Sequence, residues 1–331
     1  MNTILVTGGA GYIGSHVVQQ LVTRGERVLV IDNLSSGFAD AVPGAELIIG
    51  EVGDRALVTR ILSENGVTAV LHFAAHTIVP ESMSDPLKYY GNNTCSTRNL
   101  LESCVESGVQ RFLFSSTAAV YGMTPGGVAD EETPTLPINP YGRSKLMSEA
   151  MLRDVSAIGA MRHVILRYFN VAGCDALGRI GQSTPNATLL IKAVCECAVG
   201  RRESISIFGT DYDTPDGTGI RDYIHVEDLA AAHLRALDHL YDDGESLTLN
   251  CGYGHGYSVR EVIQAVERAS GKSLNVIEKP RRAGDLPMLI ARADQLRDRL
   301  GWQPAHDDLD FIVTTALAWE RKLADRAAQH R

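Results

Sequence analysis

The feature that most constrains the fold is a regular alternation of short β-branched runs with helical patterns through the first 170 residues. Strands that are separated by helices favour a parallel sheet with helices on both of its faces. The sequence therefore predicts an α/β fold, a Rossmann-like doubly wound parallel sheet, with roughly six strands before Asn170. The runs expected to form these strands are TILVTG, RVLVID, AELIIG, AVLHFAA, RFLFSS and HVILRYFN.

Three glycines follow the first of these runs in the segment TGGAGYIG, which opens the helical pattern SHVVQQL. Gly8, Gly11 and Gly14 permit a tight turn, close approach of a pyrophosphate to helix amides, and close packing of helix on strand. The glycines alone are equally compatible with a simple turn. Asp32 ends the strand RVLVID, where a carboxylate binds a ribose 2′-hydroxyl and repels a 2′-phosphate. The two features together predict NAD rather than NADP.

The pattern changes after the segment GCDALGRIGQSTPN, where the loops become longer and one of them, FGTDYDTPDGTGIRDY, is rich in Gly and Asp. The segment HVEDLAAAHLRALDHL predicts a helix, and LTLNCG predicts one more strand. We therefore predict an NAD-binding domain over 1–170, with 222–252 packing back on it. The remaining segments, 171–221 and 253–331, are predicted to form a smaller, interleaved α/β substrate-binding domain.

Composition excludes several other classes of protein. The 331 residues include 44% hydrophobic and 21% charged residues and carry a formal net charge of −9. This charge argues against nucleic-acid binding, and no apolar run approaches the roughly 20 residues of a membrane span. The six cysteines lack paired zinc spacing, so we expect no metal. The chain enters the first strand directly after its first residues, and we expect a cytoplasmic protein.

A tyrosine and a lysine stand four residues apart in NPYGRSK and so share one helix face. Tyr141 and Lys145 at this spacing are also compatible with an exposed aromatic beside a solvated lysine. As a catalytic pair, the phenol would move a proton, the ammonium would lower its pKa, and a nicotinamide would lie nearby. His72 and His225 are interpreted as packed side chains rather than proton-transfer groups.

The glycine segment, Asp32, the hydroxyls of SSTAAVYG and the pair in YGRSK resemble the extended short-chain dehydrogenase/reductase family over nearly the whole chain. DNLSSG, RYFNVAG, VGRR, IFGTDYDTPDGTGIRDYIHVEDLA and RRAGDLP resemble its members that epimerise nucleotide sugars at C4. The resemblance implies Tyr141 as general acid/base, Lys145 as the group that holds the nicotinamide ribose, and Thr117 as a hydrogen-bonding partner of the sugar. It also implies UDP-glucose and UDP-galactose as substrates, and a homodimer.

The resemblance further assigns binding residues by motif. The NAD-binding residues it implies are Gly8, Gly11, Tyr12, Ile13, Gly14, Asp32, Asn33, Ser36, Glu51, Val52, Phe73, Ala74, Ala75, Asn92, Ser115, Tyr141, Lys145 and Tyr168. The substrate-binding residues it implies are Thr117, Tyr141, Asn170, Leu189, Phe208, Arg221, Arg282 and Asp285. Among these, Arg221 and Arg282 suit a pyrophosphate because a guanidinium binds it in bidentate fashion.

Four residues differ from the family pattern or fall where that pattern varies. His76 and Thr77 follow the fourth strand where relatives carry Lys. Glu51 stands in place of the usual Asp, and Asp54 is an alternative adenine contact in a shifted register. Leu289 is intermediate in bulk at a position that the resemblance places against the sugar, so acceptance of N-acetylated sugars stays open.

Other reactions of the same fold remain as alternatives. These are 4-epimerisation of UDP-N-acetylglucosamine or UDP-glucuronate, and 4,6-dehydration. A dehydratase needs an added acid and base, which its relatives place directly after the Thr. Ala118 and Ala119 occupy those positions here and argue against dehydration. A noncatalytic NAD-binding regulator is a more remote alternative, because Thr117, Tyr141 and Lys145 are all present.

Overall fold

Seven parallel strands form the central sheet of the computed structural model, which describes residues 2–184, 188–282 and 284–329. Six of these strands come from the first 170 residues, as predicted. The seventh strand comes from much later in the chain. In chain order the strands are β1 (Thr3–Thr7), β2 (Arg27–Asp32), β3 (Glu46–Ile49), β4 (Ala69–His72), β5 (Arg111–Thr117), β7 (Arg162–Tyr168) and β12 (Leu247–Cys251).

Helices cover both faces of this sheet, which confirms the predicted doubly wound fold. One face packs on α1 (Tyr12–Thr23) and α8 (Val226–Tyr241) through a core that includes Val18 and Leu237. The other face packs on α2 (Arg55–Glu64), α5 (Ser96–Glu106) and α6 (Pro140–Ala157). The inner strands are therefore buried on both faces, which explains their continuous apolar runs, whereas the edge strand β3 is partly exposed.

The strand order is β12-β7-β5-β4-β1-β2-β3. The chain winds outward from β1 in one direction through β2 and β3, and in the other direction through β4, β5 and β7. Such a reversal opens a crevice at the carboxyl ends of the strands, which is where open α/β sheets bind ligands. Thr7, Asp32, His72, Thr117 and Tyr168 end their strands at this edge.

Among the described residues, smaller sheets consist mainly of strands from Asn170 onward, together with one earlier strand at 128–129. One has four strands in the order β13-β10-β15-β6, and two have paired strands, β11 with β8 and β14 with β9. These strands are β6 (Val128–Ala129), β8 (Asn170–Ala172), β9 (Ile205–Phe208), β10 (Ile220–Arg221), β11 (Tyr223–His225), β13 (Tyr257–Ser258), β14 (Val276–Lys279) and β15 (Met288–Ala291). The remaining α-helices are α3 (Val79–Ser84), α4 (Pro86–Tyr89), α7 (Leu190–Ala198), α9 (Val259–Ser270), α10 (Asp294–Leu300) and α11 (Leu309–Gln329).

A π-helical segment, Tyr90–Cys95, joins α4 to α5. It contacts α6, and Asn93 within it hydrogen-bonds to both His76 and Ser144. Across the described ranges, no helix combines the length and the apolarity needed to cross a bilayer.

Candidate active site

A cavity of about 520 Å³ lies at the carboxyl edge of the central sheet. It extends from the end of β2 to the loops that follow Asn170. Most of the residues predicted to bind NAD line it. These are Gly8, Gly11, Tyr12, Ile13, Gly14, Asp32, Asn33, Ser36, Glu51, Val52, Phe73, Ala74, Ala75, Asn92, Tyr141 and Tyr168.

The glycine turn at one end of the cavity leaves no room for side chains. Gly8 has a φ of +68°, and a Cβ there would lie 2.5 Å from the main-chain nitrogen of Ala74. A Cβ on Gly14 would lie 2.4 Å from the oxygen of Gly8. Helix α1 begins after Gly11 and presents the backbone of its first turn to the cavity. Because glycines have no side chains, a ligand can approach the N-terminus of α1 closely. Such a helix N-terminus suits the pyrophosphate of a dinucleotide.

Asp32 lies at the cavity wall at the end of β2. Its carboxylate accepts hydrogen bonds from the main-chain N–H groups of Leu34 at 2.8 Å and Ala10 at 3.0 Å. Burial raises the pKa of Asp32 above its ordinary value, while these two N–H groups oppose the shift. Glu51 also lines the cavity and accepts a hydrogen bond from Asn33. Asp54, the alternative adenine contact, instead caps α2 by accepting from the Leu57 N–H.

Thr117 and Tyr141 meet in the middle of the cavity. Thr117 ends β5, and Tyr141 lies in the first turn of α6, which Asn139 caps. The Tyr141 ring packs edge-on against Tyr89 at a centroid distance of 6.4 Å. Burial raises the pKa of the Tyr141 phenol, and its hydrogen bond with Thr117 opposes this. The two groups predicted to bind the reacting sugar are therefore in contact.

Lys145 lies one helical turn beyond Tyr141, below the cavity floor. Its ammonium donates a 2.8 Å hydrogen bond to the main-chain oxygen of Ser115 and lies over the ring of Phe114. Burial lowers the pKa of Lys145 to about 7, and Glu149 opposes the shift. The expected lowering of the Tyr141 pKa by Lys145 is not found here, because the Nζ atom is directed to Ser115 and burial dominates at the phenol.

Ser115 supports the cavity from below. Its hydroxyl is hydrogen-bonded to the Tyr168 phenol, and Tyr168 lines the cavity. His72 lies deeper, between Thr7 at 2.6 Å and Thr97 at 2.8 Å, and burial lowers its pKa to about 3. Both imidazole nitrogens thus form hydrogen bonds inside the protein, which agrees with the predicted structural role of His72.

The opposite end of the cavity contains predicted substrate residues. Asn170, Leu189, Arg221 and Leu289 line it. Arg221 is largely enclosed, and burial lowers the pKa of its guanidinium. Its side chain donates to the Ile220 oxygen at 2.7 Å, and among the described residues no carboxylate forms an ion pair with it. A partly buried cation that lacks an ion pair within the described ranges and lies at a cavity wall favours an anionic ligand.

Phe208, Arg282 and Asp285 lie beside the cavity rather than in its lining. The Arg282 guanidinium covers the Phe208 ring at 4.5 Å and forms a 2.8 Å ion pair with Asp285. Their neighbours Gly284 and Leu286 do line the cavity. The three residues thus form one cluster near Arg221, and their contact with the nucleotide stays a prediction.

Several lining residues were missed from the sequence. Gln182, Thr184 and Thr188 flank the segment 185–187, which lies outside the described residues. Ile138 and Asn139 come directly before the Tyr141 helix. The polar or apolar character of these residues alone gives no functional signal. Gln182, Thr184 and Thr188 nevertheless lie in the segment 171–221, which the sequence predicts to bind substrate. His76 and Thr77, singled out as departures, also line the cavity.

A group of potential metal ligands lies outside the cavity. Donor atoms of His225, Glu227 and His306 lie within 4.8 Å of one another. The Nδ1 atom of His225 accepts the Glu227 N–H at the start of α8, and its Nε2 atom is bonded to Thr315. His225 is therefore a helix cap, and a cation at this helix N-terminus would be disfavoured by the helix dipole.

A sheet crevice with a glycine turn, a strand-end aspartate and a Thr, Tyr and Lys set defines an NAD-dependent enzyme of the short-chain dehydrogenase type. The model of the NAD dependent epimerase/dehydratase family matches residues 4–252, and the chain belongs to this family. Membership confirms the resemblance and the NAD dependence predicted from the sequence.

Three similar proteins are UDP-glucose 4-epimerases. A UDP-glucose 4-epimerase of Azospirillum brasilense is 54% identical over 98% of this chain and 94% of its own length. A crystal structure of a UDP-glucose 4-epimerase is 45% identical, with a TM-score of 0.95 over 98% of this chain and 99% of its own. The Brucella ovis UDP-glucose 4-epimerase in complex with NAD is 42% identical, with a TM-score of 0.94 over 97% and 99% of the two chains.

Proposed function

We propose that the protein interconverts UDP-galactose and UDP-glucose as a UDP-glucose 4-epimerase. The observation that carries this proposal is the neighbourhood of Thr117 and Tyr141, where Ala118 and Ala119 line the cavity. Of the carboxylates in the lining, Asp32 ends β2, Glu51 lies just beyond β3, and Glu81 is bonded to Lys88 and Tyr89. Elimination of water would need a free acid and base beside the sugar, and the two alanines supply neither.

The residues that would hold NAD are those of the glycine turn, Asp32 and the floor around Ser115. When bound, NAD supplies the acceptor, and later the donor, of a hydride at C4 of the sugar. Tyr141 takes the proton from O4 and returns it. Thr117 hydrogen-bonds the same oxygen, and Lys145 binds ribose hydroxyls below it. The product of the first half-reaction is a 4-ketohexose that remains attached to UDP.

Epimerisation also requires that the hexose turn over while the nucleotide stays fixed. Arg221, with Arg282 and Asp285 beside it, would anchor the diphosphate and nucleoside at one end. Around the proposed position of the hexose the walls are small or apolar, with Ala118, Ala119 and Gly122 near Thr117, and Leu289 on the strand next to Arg221. Such walls make few directional contacts, so either face of the ketone can be presented to the hydride donor.

We propose the NAD- and substrate-binding residues named from the sequence for these roles. We also propose the division into an NAD-binding unit, 1–170 with 222–252, and a UDP-sugar unit, 171–221 with 253–331. Pairing of β12 with β7 and packing of α8 against α1 support the proposed NAD-binding unit. Six unpaired cysteines suit a reducing compartment, and on that ground we propose a cytoplasmic location.

A homodimer is proposed through the helices that pack around α6. Exposed apolar side chains lie on this surface at Met83, Leu87 and Met147, with exposed fractions of 63%, 79% and 48%. Helices α3 and α4 both contact α6, so these side chains belong to neighbouring elements. Exposed apolar patches of this kind mark interfaces. Sedimentation should give twice the monomer mass, and Leu87→Glu should reduce it to the monomer.

The proposed activity is tested with purified protein in a coupled assay. UDP-galactose is supplied, and UDP-glucose is measured through its dehydrogenase. A panel with UDP-glucose, UDP-galactose and their N-acetylated counterparts then defines the sugar range. Protein that carries NAD but interconverts none of these sugars would contradict the proposal and favour the noncatalytic regulator.

A further inference from the structure

A buried ion pair lies directly beneath the proposed catalytic groups. Glu149 is fully buried on α6, one turn beyond Lys145, and Arg167 is almost as buried on β7. Their contact is bidentate, with 2.7 Å between Nη2 and Oε2 and 3.0 Å between Nε and Oε1. A buried pair of this kind costs desolvation on both sides and is weak evidence for a role in stability.

The carboxylate of Glu149 joins the three elements that carry the site. On α6 it shares a helix face with Tyr141 and Lys145 at spacings of four residues. From β5, the Ser116 hydroxyl donates a 2.5 Å hydrogen bond to it, next to Thr117. From β7, Arg167 contacts it, next to Tyr168. Its bonds therefore determine how Tyr141, Thr117 and Tyr168 lie relative to one another.

The same carboxylate also acts on Lys145 through its negative charge. Besides Glu149, the ionisable groups around the Lys145 amine are Tyr141 on its own helix and His72 on β4. Burial keeps His72 neutral, and β5 contributes only the Ser115 oxygen and the Phe114 ring. Glu149 is thus the one anion among the described neighbours of Lys145, and it favours the ammonium form.

We propose that Glu149, held by Arg167 and Ser116, is a positioning residue that fixes the Tyr141 helix against the strand ends, and that its negative charge favours the ammonium form of Lys145. This inference rests on the proposed function. The hydrogen-bond network of the pair extends away from the site. Arg167 also donates to the Tyr121 phenol, which in turn donates to Asn250. Arg153 contacts Glu149 from the solvent side, with a side chain that is 39% exposed.

The test compares three variants. Glu149→Gln removes the charge but keeps the shape. The double variant Glu149→Met/Arg167→Met removes both charges, which avoids an unpaired buried Arg and often preserves stability. Arg153→Gln is the matched control, because it removes a partner of the same carboxylate while leaving the buried pair. Each is measured for kcat, KM, the pH profile of kcat, bound NAD and the thermal midpoint.

A positioning role predicts that both Glu149 variants lose roughly 10- to 100-fold in kcat with little change in KM. The alkaline limb of the pH profile of kcat should move to lower pH by about one unit in these variants, because the Lys145 ammonium loses its proton more easily. The double variant should keep a thermal midpoint near wild type and should bind NAD. Arg153→Gln should resemble wild type in every measurement.

Two results would overturn the inference. One is a folded double variant with wild-type kcat and pH profile. The other is failure of both Glu149 variants to fold, which would assign the pair to stability. These results differ from failure of the proposed function, in which the wild-type protein itself would not interconvert the two UDP-sugars.

Discussion

The ammonium of Lys145 lies 2.8 Å from the main-chain oxygen of Ser115, which ties the first half of α6 to the end of β5. Thr117 is two residues further along the same strand, and Tyr141 is one turn back along the same helix. This hydrogen bond therefore acts together with the contacts of Glu149 to hold the proposed proton-transfer group near its partner hydroxyl.

Tyr141→Phe should lose at least the ~10²-fold in kcat typical of general acid/base catalysis. The ring is buried, so its apolar contacts persist, and both the thermal midpoint and bound NAD should be retained. Tyr241→Phe is the control, because this phenol is bonded to Thr68 at the opposite edge of the sheet. Near-normal turnover in Tyr141→Phe would remove Tyr141 from its role.

Gly14→Ala should abolish retention of NAD. The added methyl would lie 2.4 Å from the Gly8 oxygen, so the turn that faces the pyrophosphate must shift. The absorbance of NAD released from denatured protein measures the effect. Gly91→Ala is the control, since a Cβ there has open space and Ala is favoured over Gly in a helix by about 0.5–1 kcal/mol. Equal NAD content in the two variants would contradict the assignment.

Arg221→Ala should raise KM for UDP-galactose by roughly 10- to 100-fold, the range expected when a hydrogen bond to a charged group is lost. Arg221→Lys should recover only part of this, because lysine lacks the bidentate geometry. Arg281→Ala is the control, since this neighbouring arginine is paired with Asp211 on the surface. Titration of UDP by calorimetry separates binding from turnover. An unchanged affinity in Arg221→Ala would argue against the clamp.

Leu289→Ala should increase the ratio of kcat/KM for UDP-N-acetylglucosamine to that for UDP-glucose. Leu289 is 9% exposed and lines the cavity, so its truncation enlarges the sugar end. Met288→Ala is the control, because adjacent residues of a strand point to opposite faces. The four-sugar panel provides the measurement. A ratio that does not change would place the limit on sugar size elsewhere.

The free energy of unfolding should fall as the pH drops from about 6.5 to about 4. Burial lowers the pKa of His16, His163 and His233 to about 4. In this interval the unfolded chain binds protons that the folded protein does not, so acid favours unfolding. Urea titrations at several pH values measure the slope. His163→Gln should reduce the slope by about 1.4 kcal/mol per pH unit at most. An identical slope in this variant would contradict the assignment for His163.

Much of the central fold could be predicted because its signals are local. Continuous apolar runs such as RVLVID belong to strands buried on both faces. The glycines of TGGAGYIG are required by the contact with Ala74 and by the turn itself. The four-residue spacing of Tyr141 and Lys145 gave their shared helix face directly.

Other features depend on partners that are distant in sequence. Glu149 would be expected on the surface of a helix, and it is buried only because Arg167 and Ser116 meet it there. The direction of the Lys145 amine likewise depends on an oxygen of β5. The position of Phe208 beside the cavity follows from its contact with Arg282, which lies more than 70 residues further along the chain. Spacing within one segment contains none of this information.

The position of β12 has a consequence for synthesis of the chain on the ribosome. This strand comes from Leu247–Cys251 yet pairs in parallel with β7 at Val164–Tyr168. A nascent chain that has released only the first 170 residues would display β7 as an open, apolar sheet edge. The N-terminal half is therefore expected to need chaperone protection until some 80 further residues emerge, and to aggregate when expressed alone.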